Sequence, residues 1–233
     1  MSDTLKIFVG YDSREDIAWQ VCRHSLLRHA SRTLPVHPLK QTTLRELGLY
    51  TRPADKASTE FSLTRFLTPW LSGHEGYAIF VDCDFLFTGD VTAILSEIDP
   101  SKALHVVQHD YTPAKSVKMD GQTQTAYPRK NWSSFMLFNC EHPAVKALTP
   151  KVVNTASPAF LHRFEWLEDS EIGELDLKWN FLEGEYDKPD TVPTAIHYTN
   201  GGPWFENCQD VMFGDLWIAE RDLYTEADRL AAQ

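Results

Sequence analysis

No stretch of this 233-residue sequence approaches the roughly 18 consecutive apolar residues of a membrane span. The start of the chain also lacks a basic segment followed by a long apolar one, and runs almost at once into the strand-like Leu5-Lys6-Ile7-Phe8-Val9. A soluble, cytoplasmic protein is the expectation. Basic charge is scarce as well. Lys and Arg number 22 against 33 Asp and Glu, a formal charge of −11. This argues against a nucleic-acid partner, which needs a basic face to neutralise phosphates. It also means that an anionic ligand would need a local remedy, such as a metal ion or a few placed Arg and Lys. The four cysteines, Cys22, Cys83, Cys140 and Cys208, are scattered and form no CxxC pair. That speaks against a zinc site and a disulfide scaffold and for reduced, mostly buried thiols. Repeats, low-complexity tracts and a linker that could split the chain are missing too, so one domain spanning 1–233 is expected.

What is present is enough to bury a full core: hydrophobic residues make up 42% and aromatics 12%, with seven Trp. Residues 5–11 read as a strand ended by Gly10, and 14–30 as a helix with Ile17, Val21, His24 and Leu27 near one face. Pro35 to Leu39 reads as a short strand. Residues 59–71 read as a helix with Thr59 as its cap. Tyr77 to Val81 is a continuous apolar run, the mark of a strand buried on both faces, and Leu104–Val107 and Phe135–Phe138 follow as short strands. Strands alternating with helices predict an α/β fold, a mainly parallel Rossmann-like sheet with helices on both faces. Beyond about residue 150 the pattern loosens into a loop-rich half. Residues 215–232 return to helical periodicity, with Leu216, Ala219, Leu223, Ala227 and Leu230 on one stripe. Trp19, Trp70 and Trp217 fall in helical patterns and are expected in the core. Trp132, Trp166, Trp179 and Trp204 are divided between core and a platform for a sugar ring. His24, His29, His37, His74, His105, His142 and His162 are read as packing or surface residues.

The sharpest feature is Val81-Asp82-Cys83-Asp84 at the end of the buried strand. In open α/β sheets, ligands bind beyond the carboxyl ends of strands, and alternate residues of a strand point the same way. Asp82 and Asp84 can therefore offer two carboxylates to one hard divalent cation. Far along the chain, Ala195-Ile196-His197 delivers a histidine to Tyr198-Thr199-Asn200-Gly201-Gly202-Pro203-Trp204. His197 is a candidate third ligand, and the glycines would let backbone approach a phosphate. A haloacid-dehalogenase-type phosphatase also has a strand ending in DxD. There the motif lies near the N-terminus, with Thr or Val where this chain has Leu86. A nucleotidyltransferase would call for a Gly-rich, Lys-bearing N-terminal loop, which is missing.

Taken together, the DxD segment and the His segment ending in Pro203-Trp204 resemble the family 8 glycosyltransferases and their relatives, as a divergent bacterial or phage branch. The resemblance spans roughly residues 5–205 and implies the GT-A fold. It implies a nucleotide-sugar donor, a UDP-sugar with retention of configuration, and an acceptor that could be a glycan, a lipid-linked sugar or a protein. Mn²⁺ or Mg²⁺ would be held by Asp82, Asp84 and His197. Arg65, in Ser62-Leu63-Thr64-Arg65-Phe66-Leu67, inherits a donor-contacting role, with Cys83 beside the DxD acids. Gly10, Tyr11 and Asp12 fall where the family holds the base. Asn131, Ser133 and Ser134 enter a strand beside the donor sugar, and Gly201 and Gly202 lie at the diphosphate. Asp84, Asp169 and Lys130 are the expected catalytic set, Asp169 lying in the acidic segment before Trp179-Asn180. Where the family carries a Lys before Pro-Trp, this chain has Gly202, so Arg129, Lys130 or Arg65 must substitute. The alternative is a non-catalytic sugar-nucleotide binding module or a subunit of an assembly, with the C-terminal helix as an oligomer contact.

Overall fold

A computed structural model describes residues 5–53, 58–110 and 129–231. Six strands form the central sheet: β1 (Leu5–Gly10), β2 (Val36–Leu39), β3 (Tyr77–Val81), β5 (Leu104–Val106), β6 (Phe135–Asn139) and β7 (Ile172–Glu174). Their order is β2-β1-β3-β6-β5-β7. β1 pairs in parallel with both β2 and β3, and β5 with β7, whereas β6 runs antiparallel to β3 and β5. A smaller sheet has the order β4-β9-β8, from β4 (Phe85–Phe87), β8 (Phe181–Leu182) and β9 (Ala195–His197).

The continuous apolar run of β3 is explained by its place. Every residue from Tyr77 to Val81 is buried, because β1 and β6 flank the strand and helices and loops cover both faces. Phe135-Met136-Leu137-Phe138 of β6 pairs with it, Val81 opposite Phe135. Only Asp82, Cys83 and Asp84 separate β3 from β4. The Asp82 amide donates to the Ser134 carbonyl at 3.0 Å, continuing the β3–β6 ladder. The Asp84 carbonyl accepts from the Tyr198 amide at 3.0 Å, continuing the β4–β9 ladder. The chain thus passes from one sheet to the other at the DxD, with each aspartate's backbone pinned by a different sheet.

Two expectations need correction. Residues 59–71 do not form one helix. Thr64–Leu67 is a 3-10 turn and Thr68–Leu71 a single helical turn, preceded by tight turns. Pro69 has no N–H to donate and its ring crowds the carbonyl four residues earlier, so a continuous helical ladder cannot run through the segment. Trp70 is accordingly 41% exposed, edge-on to His74, and is not a core residue. The C-terminal helix, Gly214–Ala231, does form, but the expected stripe faces outward: Ala219, Leu223, Ala227 and Leu230 are exposed. The helix is instead anchored by Trp217 and Glu220, both buried. The loop-rich half also carries strands β7, β8 and β9, each of two or three residues, too short to show a period. Among the described residues no helix is long and apolar enough to cross a membrane.

The helix Asp16–His29 packs between β4 and the C-terminal helix. Its link to the latter is ionic. Glu220, 3% exposed, accepts from His24 Nδ1 at 2.6 Å and from Arg28 Nε at 3.0 Å, and pairs with the Arg28 Nη2. Burial alone would raise this carboxyl's pKa, but the bonds from Arg28 and His24 outweigh it and hold it below the ordinary value of 4.5. A depressed carboxyl stabilises the fold above its unfolded pKa, and that contribution is lost as pH falls through the folded value. Glu220→Gln is therefore expected to lower stability at pH 7 by about 1–2 kcal/mol. In urea denaturation series, the gap from wild type should narrow once pH drops below 4.5. A gap that stays constant down to pH 3.5 would show that the ion pairs contribute nothing.

Candidate functional site

Beyond the carboxyl end of β3, Asp82 and Asp84 meet partners from three other parts of the chain. Asp82 Oδ1 lies 2.9 Å from the Arg65 Nη1, which also donates to the Ser133 carbonyl at 2.8 Å. Arg65 is 5% exposed and its guanidinium sits over the rings of Phe80 and Phe61, at 4.9 and 5.4 Å. Cation–π attraction and two polar partners together hold it in place.

Asp84 Oδ1 lies 3.3 Å from His197 Nε2. His197, in β9, is buried and stacks on Phe85 of the neighbouring strand, ring centroids 4.4 Å apart. Its Nδ1 is 3.0 Å from Asn180 Oδ1. The Asn180 amide donates to Ser134 Oγ at 2.9 Å, and Ser134 donates onward to the Asn131 carbonyl at 2.7 Å. This chain of bonds assigns a tautomer. Asn180 uses its N–H₂ on Ser134, so its oxygen must accept, and the ring proton sits on Nδ1. The Nε2 lone pair then faces the carboxylate of Asp84. Two acceptors 3.3 Å apart call for a positive charge between them, a proton or a metal ion.

The ligating atoms of Asp82, Asp84 and His197 all lie within 4.8 Å of one another. Two carboxylates and one imidazole, its second nitrogen anchored by Asn180, fit a Mn²⁺- or Mg²⁺-type ion and the supporting shell that such ligands need.

The three groups open onto a cleft of two adjoining cavities, about 140 and 120 Å³. The first holds Arg65, Asp82, Ser133, Ser134 and His197, and the second runs along Tyr198 to Gly201. Asp84 and Glu15 border both. Glu15 accepts from the Trp204 indole at 3.2 Å. Burial, and then the charges of Asp84 and Asp12, outweigh that bond and push its carboxyl up to about 7. Its position five residues past Gly10, at the entry to the first helix, was the available signal that it would reach the cleft. His162, read from sequence as packing or surface, also lines the first cavity, and nothing in its local pattern marks it out.

Other expected site residues fall in different places. Cys83 is part of the cavity floor, and Asn131 lines the same cavity. Gly201, at φ 109°, lines the second cavity. At Gly202 a Cβ would stand 2.0 Å from the Trp204 ring, so this backbone has no room for a lysine. Gly10 is required by packing, since a Cβ there would meet the Phe61 ring at 2.5 Å. Tyr11 donates to Asp16 at 2.8 Å and carries Lys40 over its ring, while Asp12 is buried against Arg14. None of Gly10, Tyr11 and Asp12 borders either cavity. Asp169, with its side chain 91% exposed, is ion-paired with Arg129, and Lys130 is buried; neither lines either cavity. Of the three cations considered as replacements for the missing lysine, Arg65 lines the cleft. Trp179 is buried, its indole donating to Glu97 at 2.9 Å, and so belongs to the core.

Protein CDI of Arabidopsis thaliana is 52% identical to this chain over 233 residues, covering 97% of this chain and 90% of that protein. The chain belongs to the family of Protein CDI. A plant member means that this family is not confined to bacteria and phages. No protein-family model matches the chain. Solved glycosyltransferases share its architecture. The bifunctional glycosyltransferase WbbM gives a TM-score of 0.66 at 16% identity, and GlyE of Streptococcus pneumoniae TIGR4 gives 0.60 at 16%. The galactosyltransferase LgtC, in complex with donor and acceptor sugar analogs, gives 0.56 at 10%. These matches cover 95%, 94% and 93% of this chain. They cover 50% of WbbM, 60% of GlyE and 95% of LgtC, so the chain spans about half to three-fifths of the two longer proteins. The fold is GT-A: a six-stranded α/β sheet with the DxD at its carboxyl edge.

The burial of Arg65 changes what its removal should do. Donor binding alone would allow Arg65→Ala with little loss of stability. Here the substitution removes the guanidinium that pairs with Asp82 and packs over the adjoining rings of Phe61 and Phe80. It is expected to destabilise the metal-free protein by about 2–4 kcal/mol, as breaking a buried ion pair does. Urea denaturation measures this, and a variant as stable as wild type would contradict the assigned packing role.

Proposed function

We propose that the protein is a metal-dependent glycosyltransferase, a divergent relative of family 8, that moves a sugar from a UDP-sugar donor to an acceptor with retention. The observation that carries this reading is the pair of acceptors, Asp84 Oδ1 and His197 Nε2, facing each other at 3.3 Å beside Asp82. In a GT-A fold this is the place for a diphosphate. A divalent ion held there would supply the positive charge that a departing nucleoside diphosphate needs, which bulk charge of −11 cannot.

The chain's own residues do the rest. Asp82, Asp84 and His197 hold the cation, and Asn180 keeps the His197 lone pair aimed at it. Arg65 balances Asp82 before metal arrives and adds a guanidinium beside the phosphates afterwards. Ser133 and Ser134 line the wall where the sugar is positioned. Asp169 and Lys130, outside the cleft, are left out of this machinery.

Donor hydrolysis tests the reading without knowledge of the acceptor. With Mn²⁺ and a panel of UDP-sugars, wild type should release UDP slowly. Asp84→Ala should fall by about a hundred- to several-thousandfold, equivalent to about 3–5 kcal/mol of transition-state stabilisation. EDTA should reproduce the loss in wild type, and restored Mn²⁺ should rescue wild type alone. Undiminished hydrolysis in EDTA would refute the metal mechanism. Tight donor binding with no turnover under any metal or acceptor would make the protein a binding module.

A further inference from the structure

A carboxylate beside a diphosphate site repels the ligand, and the cleft has one beyond the metal group. Glu15 borders both cavities, as Asp84 does. One of its oxygens, Oε2, accepts from the Trp204 indole at 3.2 Å. That bond ties the acid to the segment after β9, whose residues Tyr198 to Gly201 line the second cavity. The other oxygen, Oε1, takes no bond among the described residues and has lone pairs to offer a ligand.

The segment expected to hold the nucleoside base is filled by the protein's own bonds. Asp12 is fully buried, and each of its oxygens accepts twice. Oδ1 takes the Arg14 amide at 3.0 Å and Arg14 Nε at 2.9 Å. Oδ2 takes Arg14 Nη2 at 2.7 Å and the Glu60 amide at 3.1 Å. A carboxylate has about four lone-pair sites, so none is left for a ligand. The Tyr11 hydroxyl donates to Asp16, and the Phe61 ring closes over Gly10.

A nucleotide-sugar runs in line from base through ribose and diphosphate to sugar. With the diphosphate at the metal group, its two ends leave Asp84 in opposite directions, and Asp84 borders both cavities. The serine wall belongs to the first cavity alone. The Phe205 ring, 37% exposed, belongs to the second alone and suits a flat base. The ribose, between base and diphosphate, then lies at the junction where Glu15 stands. Its two neighbouring hydroxyls can donate, and an ionised carboxylate only accepts. Acidic side chains serve ribose in this way in dinucleotide-binding folds. Charge-assisted bonds of this kind are roughly twice as strong as neutral ones, which offsets the repulsion between Glu15 and the phosphates.

We propose that Glu15, in place of the Gly10-Tyr11-Asp12 segment, recognises the nucleoside of the donor by accepting from its ribose hydroxyls. The ligand rests on the glycosyltransferase reading above. Glu15 is thus a specificity residue: it selects ribonucleotides over deoxynucleotides and disfavours any pose that places a phosphate against it.

Calorimetry of the Mn²⁺-loaded protein tests this at pH 8. Burial, and then the charges of Asp84 and Asp12, raise Glu15 to about 7, so it is ionised there. UDP, GDP and ADP are each compared with their 2′,3′-dideoxy forms. Wild type should bind the ribose form of its nucleotide about ten- to a hundredfold more tightly. Glu15→Gln keeps an oxygen for the Trp204 indole and turns an N–H₂ towards the ligand, and the preference should fall to about twofold or less. Glu15→Ala, which removes the acceptor outright, should do the same where the first variant folds poorly. A wild type without the preference, or a preference that survives in the variants, would overturn the proposal. UDP-hexoses separate the other source of hydroxyls. Variants that change the ratio of UDP-hexose to UDP affinity but keep the ribose preference would put Glu15 on the transferred sugar and overturn the ribose assignment. Wild type that binds none of these nucleotides or nucleotide-sugars would refute the donor reading and this proposal with it, whereas nucleotide binding without ribose preference overturns this proposal alone.

Discussion

Two carboxylates held two residues apart at the edge of a buried sheet repel each other, and the surroundings of Asp82 and Asp84 are organised by that repulsion. Neither acid can move far, because the backbone of each is tied to a different sheet. Relief comes from the partners instead. Arg65, packed over two adjoining Phe rings, pairs with Asp82. Asp84 faces a histidine whose other nitrogen is committed to Asn180. Asp84 Oδ1 and His197 Nε2, two acceptors 3.3 Å apart, call for a proton or a metal ion between them, and the glycosyltransferase reading starts from that pair within a GT-A fold.

Much of this was legible in the sequence, and the reasons are physical. Tyr77 to Val81 could be read as a central strand because burial on both faces leaves no polar alternation. The DxD was conspicuous because two charges follow such a run directly. His197 was readable as a candidate partner from its short apolar approach and the glycines after it. Antiparallel pairing to β4 then places it beside Asp84. A single residue type could also be read: Gly202 in place of a lysine corresponds to the close approach of the Trp204 ring.

What the sequence hid was set by tertiary contacts. The 59–71 segment has helical composition, but it is buried nearly all round and interrupted by Pro69, so turns replaced the helix. The C-terminal stripe misled because the residue that anchors the helix, Glu220, is charged. Its burial depends on Arg28 and His24, nearly two hundred residues away. His162 reached the cleft through the same kind of long-range placement, and its neighbours in sequence carry no trace of it. Asp169 illustrates the opposite case: an acidic run that resembles a sugar-side segment is here turned to solvent by its bond to Arg129.

The central claim is that Asp82, Asp84 and His197 share one divalent ion. Electron spin-echo spectroscopy of the protein with one equivalent of Mn²⁺ tests it most directly. A single bound Mn²⁺ coupled to one imidazole nitrogen is expected, with that coupling lost in His197→Gln. A Mn²⁺ signal without nitrogen coupling in wild type, or one that His197→Gln leaves unchanged, would contradict it.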